Sequence, residues 1–565
     1  MPRLHRAIRR KRLTKLIAAF LCLLASRLIL DHAYEIGRQH NLYSRSARAS
    51  VPPEYILTAS LLGGFRGIFI TALWMNAQEM KENGRYYEMV DLYRIISTLQ
   101  PSHAAAWRYQ AWDLTYNVSA EFNDDRESRI FWVFRGIDLL RKEAIPKNPN
   151  MPELYWELSW YFRHKIASDI DDAYLDYQTF LAQQVDETLR GLPPESWRSL
   201  GEIADLLDKY EFRDDLLDDE EMSESFARLH AADPELDVFK NGFSILTQPP
   251  LKLKELLTEN AVRTTTRRAS LWKIGQDIKE RLGMDPREMF LLHERFGPID
   301  WRRPVSHALY WASLGEKILQ GQKTDEFTTR YRYLIYRAAM DLLTTQEEVV
   351  TGDGVSFFPP QYQFLDQAIG YSEATLANFD WQNAKRAQLG LLTVDVETMR
   401  STYVRFLLNV TVNAHLDDQR ELASSLLDRA AKQANDDSLR VPTQTFVKRE
   451  VSRRLIELGR QGTLLLLKVL YSQACVKLEA EGEVAYRYRL RRLGPIHEAG
   501  QGLWGDHAIP ALPEIQRTSI HEFLAHKSSV PVFNDPSQIR TFLDALRNVE
   551  PTLFDAVQRP QRDSP

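Results

Sequence analysis

The chain has 565 residues, of which 44% are hydrophobic and 26% are charged, and its formal net charge is -5. This length exceeds what one hydrophobic core supports, so several domains or an extended array are expected, and the composition excludes an intrinsically disordered protein. The slightly acidic balance supplies no global positive field, which argues against a nucleic-acid-binding protein.

The first predicted element is a basic segment followed by an apolar one. Residues 1–15 carry seven Lys and Arg side chains and no acidic residue, and Leu16–Leu30 reads LIAAFLCLLASRLIL. This order is typical of an export signal, and the positive charges hold the N-terminus in the cytoplasm while the following chain is translocated. We therefore predict an uncleaved membrane anchor. A cleaved signal peptide and a cytosolic basic amphipathic helix are the alternatives.

A second apolar stretch, Tyr55–Trp74, is 20 residues long and contains Arg66 near its middle. A central arginine costs about 2.5–3.5 kcal/mol in a membrane-spanning helix. We therefore predict a helix that packs against the first repeat. The alternative is a second membrane span, which would return the C-terminal body to the cytoplasm.

The next segment shows a 34-residue period. Leu73 falls at position 4 of such a frame, Ala77 at 8, Gly84 at 15 and Pro101 at 32, and Trp107 occupies position 4 of the next frame. Small residues let two helices approach closely, the glycine turns the chain between them, and the proline ends the second helix. The pattern resembles the tetratricopeptide repeat (TPR), which implies stacked helical hairpins.

Later frames begin with the same kind of pattern at irregular intervals. They start at Trp107, Tyr155, Trp197 and Trp311. From Leu73 to Trp107, Tyr155 and Trp197 the successive spacings are 34, 48 and 42 residues, and the spacings beyond 34 indicate inserted turns. We predict an all-α fold, an irregular TPR-like solenoid of helical hairpins with an N-terminal anchor helix. A large α-helical protein with tryptophan-rich packing is the alternative.

The domain boundaries follow from these patterns and from proline-rich breaks. The predicted regions are a basic stub and anchor in 1–31, TPR-like repeats in 55–245, a linker with connecting helices in 246–300, a second helical region in 301–546 and a flexible tail in 547–565. Val350–Gln363 is predicted to be a long loop, because glycines and two prolines interrupt it.

Motifs for catalysis are missing from the sequence. It contains no Walker A motif, no Gly-x-Ser-x-Gly elbow and no Cys-x-x-Cys pair. The nearest metal-site pattern is HEFLAH, His521–His526, in which the histidines are five residues apart. On a helix this spacing turns the two rings about 140° apart, whereas a zinc protease needs them on one face. We therefore expect no bound metal and no cofactor.

Several segments together resemble a poorly characterised family of membrane-anchored helical-repeat proteins of environmental bacteria. They are GGFRG, ENGRYYE, AWDLTYN, NPNMPELYWELSW and FGPIDWRRPVSHALYWASLG. The resemblance covers residues 60–170 and 285–320. It implies a similar build and no particular activity.

We predict a partner-binding surface on the first helices of successive hairpins. Positions that do not pack inward should be exposed there, and they include Gln78, Lys81, Arg108, Asp113 and Arg163. Their charges alternate in sign, so a mixed polar protein or peptide should fit better than a uniformly charged one. Aromatic residues on this surface would add contact area at low entropic cost.

The predicted function is therefore a scaffold for protein–protein interaction, without catalysis of its own. The predicted location is a bacterial inner membrane, with a single pass and most of the chain in the periplasm. One alternative is a two-span subunit of a transport or export assembly. The other is an enzyme on a helical superhelix, such as a cell-wall glycosidase, which needs two carboxylates about 5–9.5 Å apart in a cleft.

Overall fold

The computed structural model describes most of the chain after the predicted anchor. The described residues are 66–168, 170–190, 192, 199–241, 244–297, 299–319, 326–344, 348–351, 354–357, 362, 365–390, 395–505, 508–524 and 536–558. The anchor, Trp197 and His526 lie outside this part. None of the helices within these ranges has the length and apolar character needed to cross a membrane.

The described chain is helical apart from one β-hairpin, and it forms two compact units that divide between Thr375 and Leu376. The α-helices up to the hairpin are α1 (Arg66–Glu82), α2 (Tyr86–Leu99), α3 (Ala104–Trp112), α4 (Arg126–Asp138), α5 (Ile145–Lys147), α6 (Pro152–Trp160), α7 (Tyr174–Leu189), α8 (Ser199–Lys209), α9 (Arg213–Leu217), α10 (Ser223–Ala232), α11 (Val238–Asn241), α12 (Ser244–Thr247), α13 (Asn260–Asp277), α14 (Pro286–Phe296), α15 (Pro304–Leu319) and α16 (Glu326–Thr344). The π-helical turns are Asp113–Val118, Leu139–Ala144, Tyr161–Ile166 and Ile278–Leu282.

The first predicted hairpin is present as α1 and α2, which pack side by side. Ala77 on α1 and Met89 on α2 are completely buried. Gly84 has a φ of 70°, a left-handed conformation that glycine adopts without strain, and it lies in the turn between the two helices. Trp107 at the start of the next hairpin is 1% exposed.

The second and third hairpins follow directly. Helix α3 continues through its π-turn and packs against α4, while α6 continues through the turn at Tyr161–Ile166 and packs against α7. Helices α3 and α6 also contact each other. A π-turn adds a residue to one turn of a helix, so these turns account for part of the spacing beyond 34 residues.

Close approach of the paired helices depends on Gly136, at about position 20 of the second frame. A Cβ atom there would lie 2.1 Å from the Thr115 Oγ1 atom and 2.6 Å from the Ala111 backbone oxygen. Ala111 is position 8 of the same frame, so the two predicted small positions face each other. The sequence pattern therefore has a direct steric cause.

This contact makes Gly136→Ala a test of the hairpin packing. We expect the free energy of unfolding to fall by about 1–3 kcal/mol, because the added methyl group meets backbone atoms that cannot rotate away. Urea denaturation measures the effect. Gly370→Ala is the matched control, since its helix leaves the space around Gly370 empty within 4 Å, and it should preserve or raise stability. Equal stability of the two variants would contradict the close approach.

Helix α15 packs beside the third hairpin. It packs against α6, where the Ser159 hydroxyl donates to the Ala308 carbonyl over 2.8 Å and across 149 residues of sequence. It also pairs with α16, and Gly315 lies against the Tyr331 ring. The fifth predicted frame therefore forms a hairpin that adjoins the third one.

Helices α8 to α14 are inserted between these neighbours. The fourth predicted frame starts at Trp197, outside the described residues, and α8, which begins two residues later, packs against α13 and α14. Helix α13 falls inside the predicted linker 246–300, yet it is part of the first unit's core, with Leu271 and Ile274 completely buried. The structure thus divides the chain about 75 residues later than the predicted linker ends, at Thr375 rather than 300.

The long loop predicted at Val350–Gln363 contains part of a β-hairpin. Strands β1 (Glu348–Thr351) and β2 (Gly354–Phe357) are antiparallel, and Val350 lies opposite Val355. The loop prediction is wrong for the residues in these two strands.

The helices that follow are α17 (Leu365–Gln388), in which the division between the units falls, α18 (Val396–Leu416), α19 (Arg420–Ala434), α20 (Thr443–Glu481), α21 (Glu483–Trp504), α22 (Leu512–Leu524), α23 (Pro536–Val549) and α24 (Pro551–Gln558). Helix α20 is kinked at Gly459, whose φ is 69°. The predicted flexible tail begins at residue 547, but α24 is folded and buries Leu553 and Val557 in a core with Tyr471. Pro551 at the first helical position and the apolar spacing after it explain this helix.

Candidate functional site

Ring-bearing side chains follow one another along the first helices of the first three hairpins. We call this set the aromatic row, and its members are Trp74, Tyr109, Trp112, Tyr116, Trp156, Trp160 and His164. The Trp74 and Tyr109 ring centroids are 5.3 Å apart, and those of Tyr109 and Trp112 are 6.2 Å apart. Tyr109 and Trp112 are 42% and 41% exposed, so this part of the row can reach a ligand.

Three rings of the row form a continuous stack on α6 and its π-turn. The Trp156 and Trp160 rings are nearly parallel, at 8°, with centroids 5.6 Å apart. His164 stacks on Trp160 at 4.5 Å and 18°. The Tyr116 hydroxyl lies 3.1 Å from the His164 Nδ1 atom and so joins the stack to the second hairpin. All four side chains are partly exposed.

The His164 imidazole is held as an uncharged ring. Burial and the neighbouring cations Arg163 and Lys165 lower the pKa of His164 below its ordinary value. A neutral ring stacks on Trp160 and can exchange a hydrogen bond with the Tyr116 hydroxyl. The stack is therefore an apolar platform with polar groups at its edge.

An ion pair connects the two helices that carry most of the row. Arg108 on α3 contacts Glu157 on α6, with 2.9 Å between the Arg108 Nη2 and Glu157 Oε2 atoms. The Glu157 side chain is 8% exposed and that of Arg108 is 39% exposed. Part of the Arg108 guanidinium therefore remains accessible to solvent and can donate to a ligand.

The polar residues predicted to form the binding surface have different positions. Gln78 is exposed, as predicted, and its amide donates to Glu82 over 3.0 Å. Arg108 is partly exposed and adjoins the row. Arg163 is mostly covered and lies 3.6 Å from the Asp341 carboxylate on α16. Lys81 is partly buried in an ion pair with Asp113.

The prediction that Asp113 is exposed is wrong. Its side chain is completely buried, and besides Lys81 it accepts hydrogen bonds from the Tyr93 hydroxyl at 2.9 Å and from Asn117 at 2.8 Å. Helix α3 packs against α2 of the preceding hairpin as well as against α4, which covers the side that carries Asp113. A single helical period cannot reveal this second neighbour.

Asp113→Ala tests this structural role. We expect a loss of about 3 kcal/mol in the free energy of unfolding, because Lys81 and the Tyr93 hydroxyl would lose a buried acceptor. Urea denaturation of the variant and of Asp91→Ala measures the difference. Asp91 is an exposed partner of Arg94 on α2, so its loss should cost about 0.5 kcal/mol or less. A similar cost for both would place Asp113 on the surface.

The aromatic row was only partly visible in the sequence. Trp74 and Trp156 directly follow position 4 of their frames, while Trp112 and Trp160 both fall at position 9. Tyr116 and His164 both fall at position 13. Recurrence of rings at positions 5, 9 and 13 is the signal that would have identified the row.

Two cavities in the first unit have carboxylate side chains in their lining. A cavity of about 210 Å³ has Glu288 and Glu316 in its lining. Each carboxylate already has a cationic partner, Lys317 for Glu288 and Arg332 for Glu316. Both carboxylates at this cavity therefore belong to ion pairs.

A larger cavity, of about 420 Å³, lies between α15 and the turn after α13. Its lining mixes aromatic side chains with cations and anions, and it includes Arg141, Lys142, Tyr155, Glu280, Asp285 and Trp311. The Arg141 guanidinium is sealed from solvent, and its Nε atom donates to Asp138 over 2.6 Å. The balance of charges at this cavity does not select one class of ligand.

In the part of the chain that the structure describes, no group of three or more His, Cys, Asp or Glu side chains is placed to hold a metal ion. Glu522, from the metal-like sequence pattern, pairs with Lys468. Comparison of the chain with family models, with curated proteins and with solved structures found no match. The fold and the site define a helical protein with a partly exposed aromatic row, and its function must be argued from that row.

Proposed function

We propose that this protein is a membrane-anchored scaffold whose first hairpins form a TPR-like array and bind a partner protein along the aromatic row. The observation that carries the proposal is the stack of Trp156, Trp160 and His164, which continues through Tyr116 to the second hairpin. Rings left partly exposed in a row supply contact area with few rotatable bonds. The basic and apolar N-terminus supports a single-pass anchor in a bacterial inner membrane, with the array in the periplasm.

The partner segment that best fits this row is an extended peptide that contains proline. Rings one helical turn apart recur at intervals of about 6 Å, and proline rings of a polyproline II segment can pack against their exposed parts. Such a segment is already extended when free, so less conformational entropy is lost on binding. Arg108 and Gln78 stand beside the rings and can donate to the carbonyl groups of the peptide.

The row also favours a partner of mixed polarity. Arg108 is paired with Glu157, and Lys81 is paired with Asp113, so these cations are balanced by nearby carboxylates. A strongly charged peptide would have to displace one of these partners. A peptide with prolines, neutral polar residues and few charges avoids that cost.

Binding of synthetic peptides tests the proposal directly. We expect Trp156→Ala combined with Trp160→Ala to weaken binding of a fluorescein-labelled proline-rich peptide by at least about tenfold, because the contact area of both rings is lost. Fluorescence anisotropy gives the dissociation constants. A peptide of the same length with alanine in place of each proline should bind more weakly to the unmodified protein.

Trp381→Ala is the matched control. Trp381 is 62% exposed but lies on α17, away from the row in sequence, and its loss should leave peptide binding unchanged. Equal binding by the row variant and the control would remove the row as the docking site. Binding of oligosaccharides, in place of peptides, in the same assay would instead make the protein a carbohydrate-binding module.

A further inference from the structure

Helix α1 exposes an apolar stripe on the side opposite to its packed face. Ile70, Leu73 and Ala77 are buried, as expected for the first helix of a hairpin. We call the opposite side the outer stripe, and its members are Ile68, Phe69, Ala72 and Met75. Ile68 and Met75 are 69% and 70% exposed and Phe69 is 42% exposed, while Ala72 is exposed between them.

Large exposed apolar side chains are concentrated in this part of the molecule. Of the 18 that the described residues expose, eight lie between residues 68 and 131. Scattered single residues of this kind are ordinary, but a stripe of neighbouring ones on a helix indicates an interaction surface. A stable protein–protein interface takes about 20–30 residues on each partner, many more than the four residues of the stripe.

The chain that precedes the stripe indicates what covers it. Sixty-five residues come before α1, and they include the basic N-terminus, the apolar Leu16–Leu30 and the apolar Tyr55–Phe65. The last of these segments ends directly before Arg66, where α1 begins. The outer stripe is therefore the part of the described body that is joined most closely to the apolar N-terminal segments.

We propose that the outer stripe lies in the interfacial layer of the bilayer that holds the anchor, so that lipid is its partner. This inference rests on the membrane anchor of the proposed function, and it does not depend on peptide binding. Isoleucine, phenylalanine and methionine side chains enter the boundary between headgroups and acyl chains when a helix lies at the membrane surface. Because α1 is packed against α2, the stripe would orient the first hairpins relative to the membrane.

The stripe has a defined end. Glu79 falls on the same line of the helix as Ile68, Ala72 and Met75, and it is exposed. A carboxylate does not enter the acyl region without a large cost. The N-terminal half of α1 therefore contacts lipid, and the helix passes into water between Met75 and Glu79.

Fluorescent labelling of the full chain in phospholipid vesicles tests this arrangement. Single cysteines replace Ile68, Met75 or Glu79 in a Cys22→Ser background, while Cys475 remains because it is completely buried. Each variant is labelled with an environment-sensitive dye. Leu251→Cys is the control, since Leu251 is 90% exposed in the same unit but lies far from α1 in sequence.

We expect spin-labelled lipids to quench the dye most strongly at residue 68, several-fold more than at residue 251, and progressively less at 75 and 79. Iodide in the water should give the opposite order. Equal iodide quenching at 68, 75 and 251 would overturn the proposal. Protection from both quenchers at 68 and 75 would also overturn it, because protein would then cover the stripe.

The outcome can be separated from the rest of the proposed function. Co-flotation of the chain with vesicles reports the anchor, and a chain that does not float overturns both the anchor and the lipid contact. Binding of the proline-rich peptide, measured on the same vesicles, reports the aromatic row. Circular dichroism of each cysteine variant should match that of the unmodified chain, because the substituted side chains are exposed.

Discussion

Replacement of Trp107 by alanine is expected to lower the free energy of unfolding by about 3–5 kcal/mol, as large aromatic truncations in cores do. Trp107 is 1% exposed, and its Nε1 atom donates to the Pro101 carbonyl over 2.9 Å. The Lys147 ammonium lies over the ring, 4.8 Å from its centroid. The substitution thus removes a buried ring, a hydrogen bond and a cation contact at the junction of the first two hairpins.

Urea denaturation followed by circular dichroism measures this loss. Trp112→Ala is the matched control, because Trp112 is on the same helix and 41% exposed, and it should cost about 1 kcal/mol or less. Asn148 also donates to the Pro101 carbonyl, so that oxygen keeps one partner in the Trp107 variant. If the two tryptophan variants unfold at the same urea concentration, Trp107 does not join the hairpins.

The sequence predicted the first hairpin well because its signals are local. Ala77, Gly84 and Trp107 each fulfil a requirement of two adjacent helices, and a fixed period expresses those requirements directly. The pairing of Ala111 with Gly136 was likewise contained in the frame, because it also arises within one hairpin. Helix packing that repeats at a constant spacing can therefore be predicted from a single amino-acid sequence.

The errors arose where packing depends on distant parts of the chain. Helix α15 adjoins α6 across a long insertion, and no local pattern specifies that contact. Asp113 was expected on the surface because its helix was considered with one neighbour, whereas two hairpins cover it. Helix α24 was taken for a tail because proline and charge are common near it, although Leu553 and Val557 have a helical spacing.

The residues predicted to form the binding surface lie on the helices that carry the aromatic row, but the prediction did not include the rings. Gln78 and Arg108 lie one helical turn from Trp74 and Trp112, respectively. Arg108, like Lys81 and Arg163, is engaged in an ion pair. Charged residues were chosen because helix surfaces are usually polar. The rings could be recognised in the sequence only from their recurrence at frame positions 5, 9 and 13, because a single tryptophan in a helix fits the core as well as the surface.

Acidification is expected to destabilise the first unit through two histidines around Trp301, of which His307 is completely buried and His293 is partly buried. The Trp301 Nε1 atom donates to the His293 Nε2 atom over 3.0 Å, and the Trp301 carbonyl oxygen lies 2.8 Å from the His307 Nε2 atom. Burial lowers the pKa of His293 to about 4 and that of His307 to about 3, with Arg141 adding to the effect on His307. The folded unit therefore holds both rings uncharged.

The sign of the pH dependence follows from these lowered values. Above about pH 6.5 both rings are neutral in the folded and in the unfolded chain, so their titration does not lower the free energy of unfolding. Between about pH 6.5 and pH 4 the two histidines bind protons in the unfolded chain but not in the folded chain, so the free energy of unfolding falls. Each histidine should account for about 2–3 kcal/mol of that loss at pH 4.

Urea denaturation at several pH values between neutral and about pH 4 measures how steeply the free energy of unfolding falls with pH. That slope is the quantity that proton linkage predicts. The double variant His293→Gln with His307→Gln should be less stable at neutral pH but should lose less stability on acidification, because glutamine keeps a hydrogen-bonding group and does not titrate. His103→Gln removes an exposed histidine in the same unit and should leave the slope as in the unmodified chain. A double variant with the unmodified slope would show that carboxylates, and not the histidines around Trp301, govern the acid sensitivity.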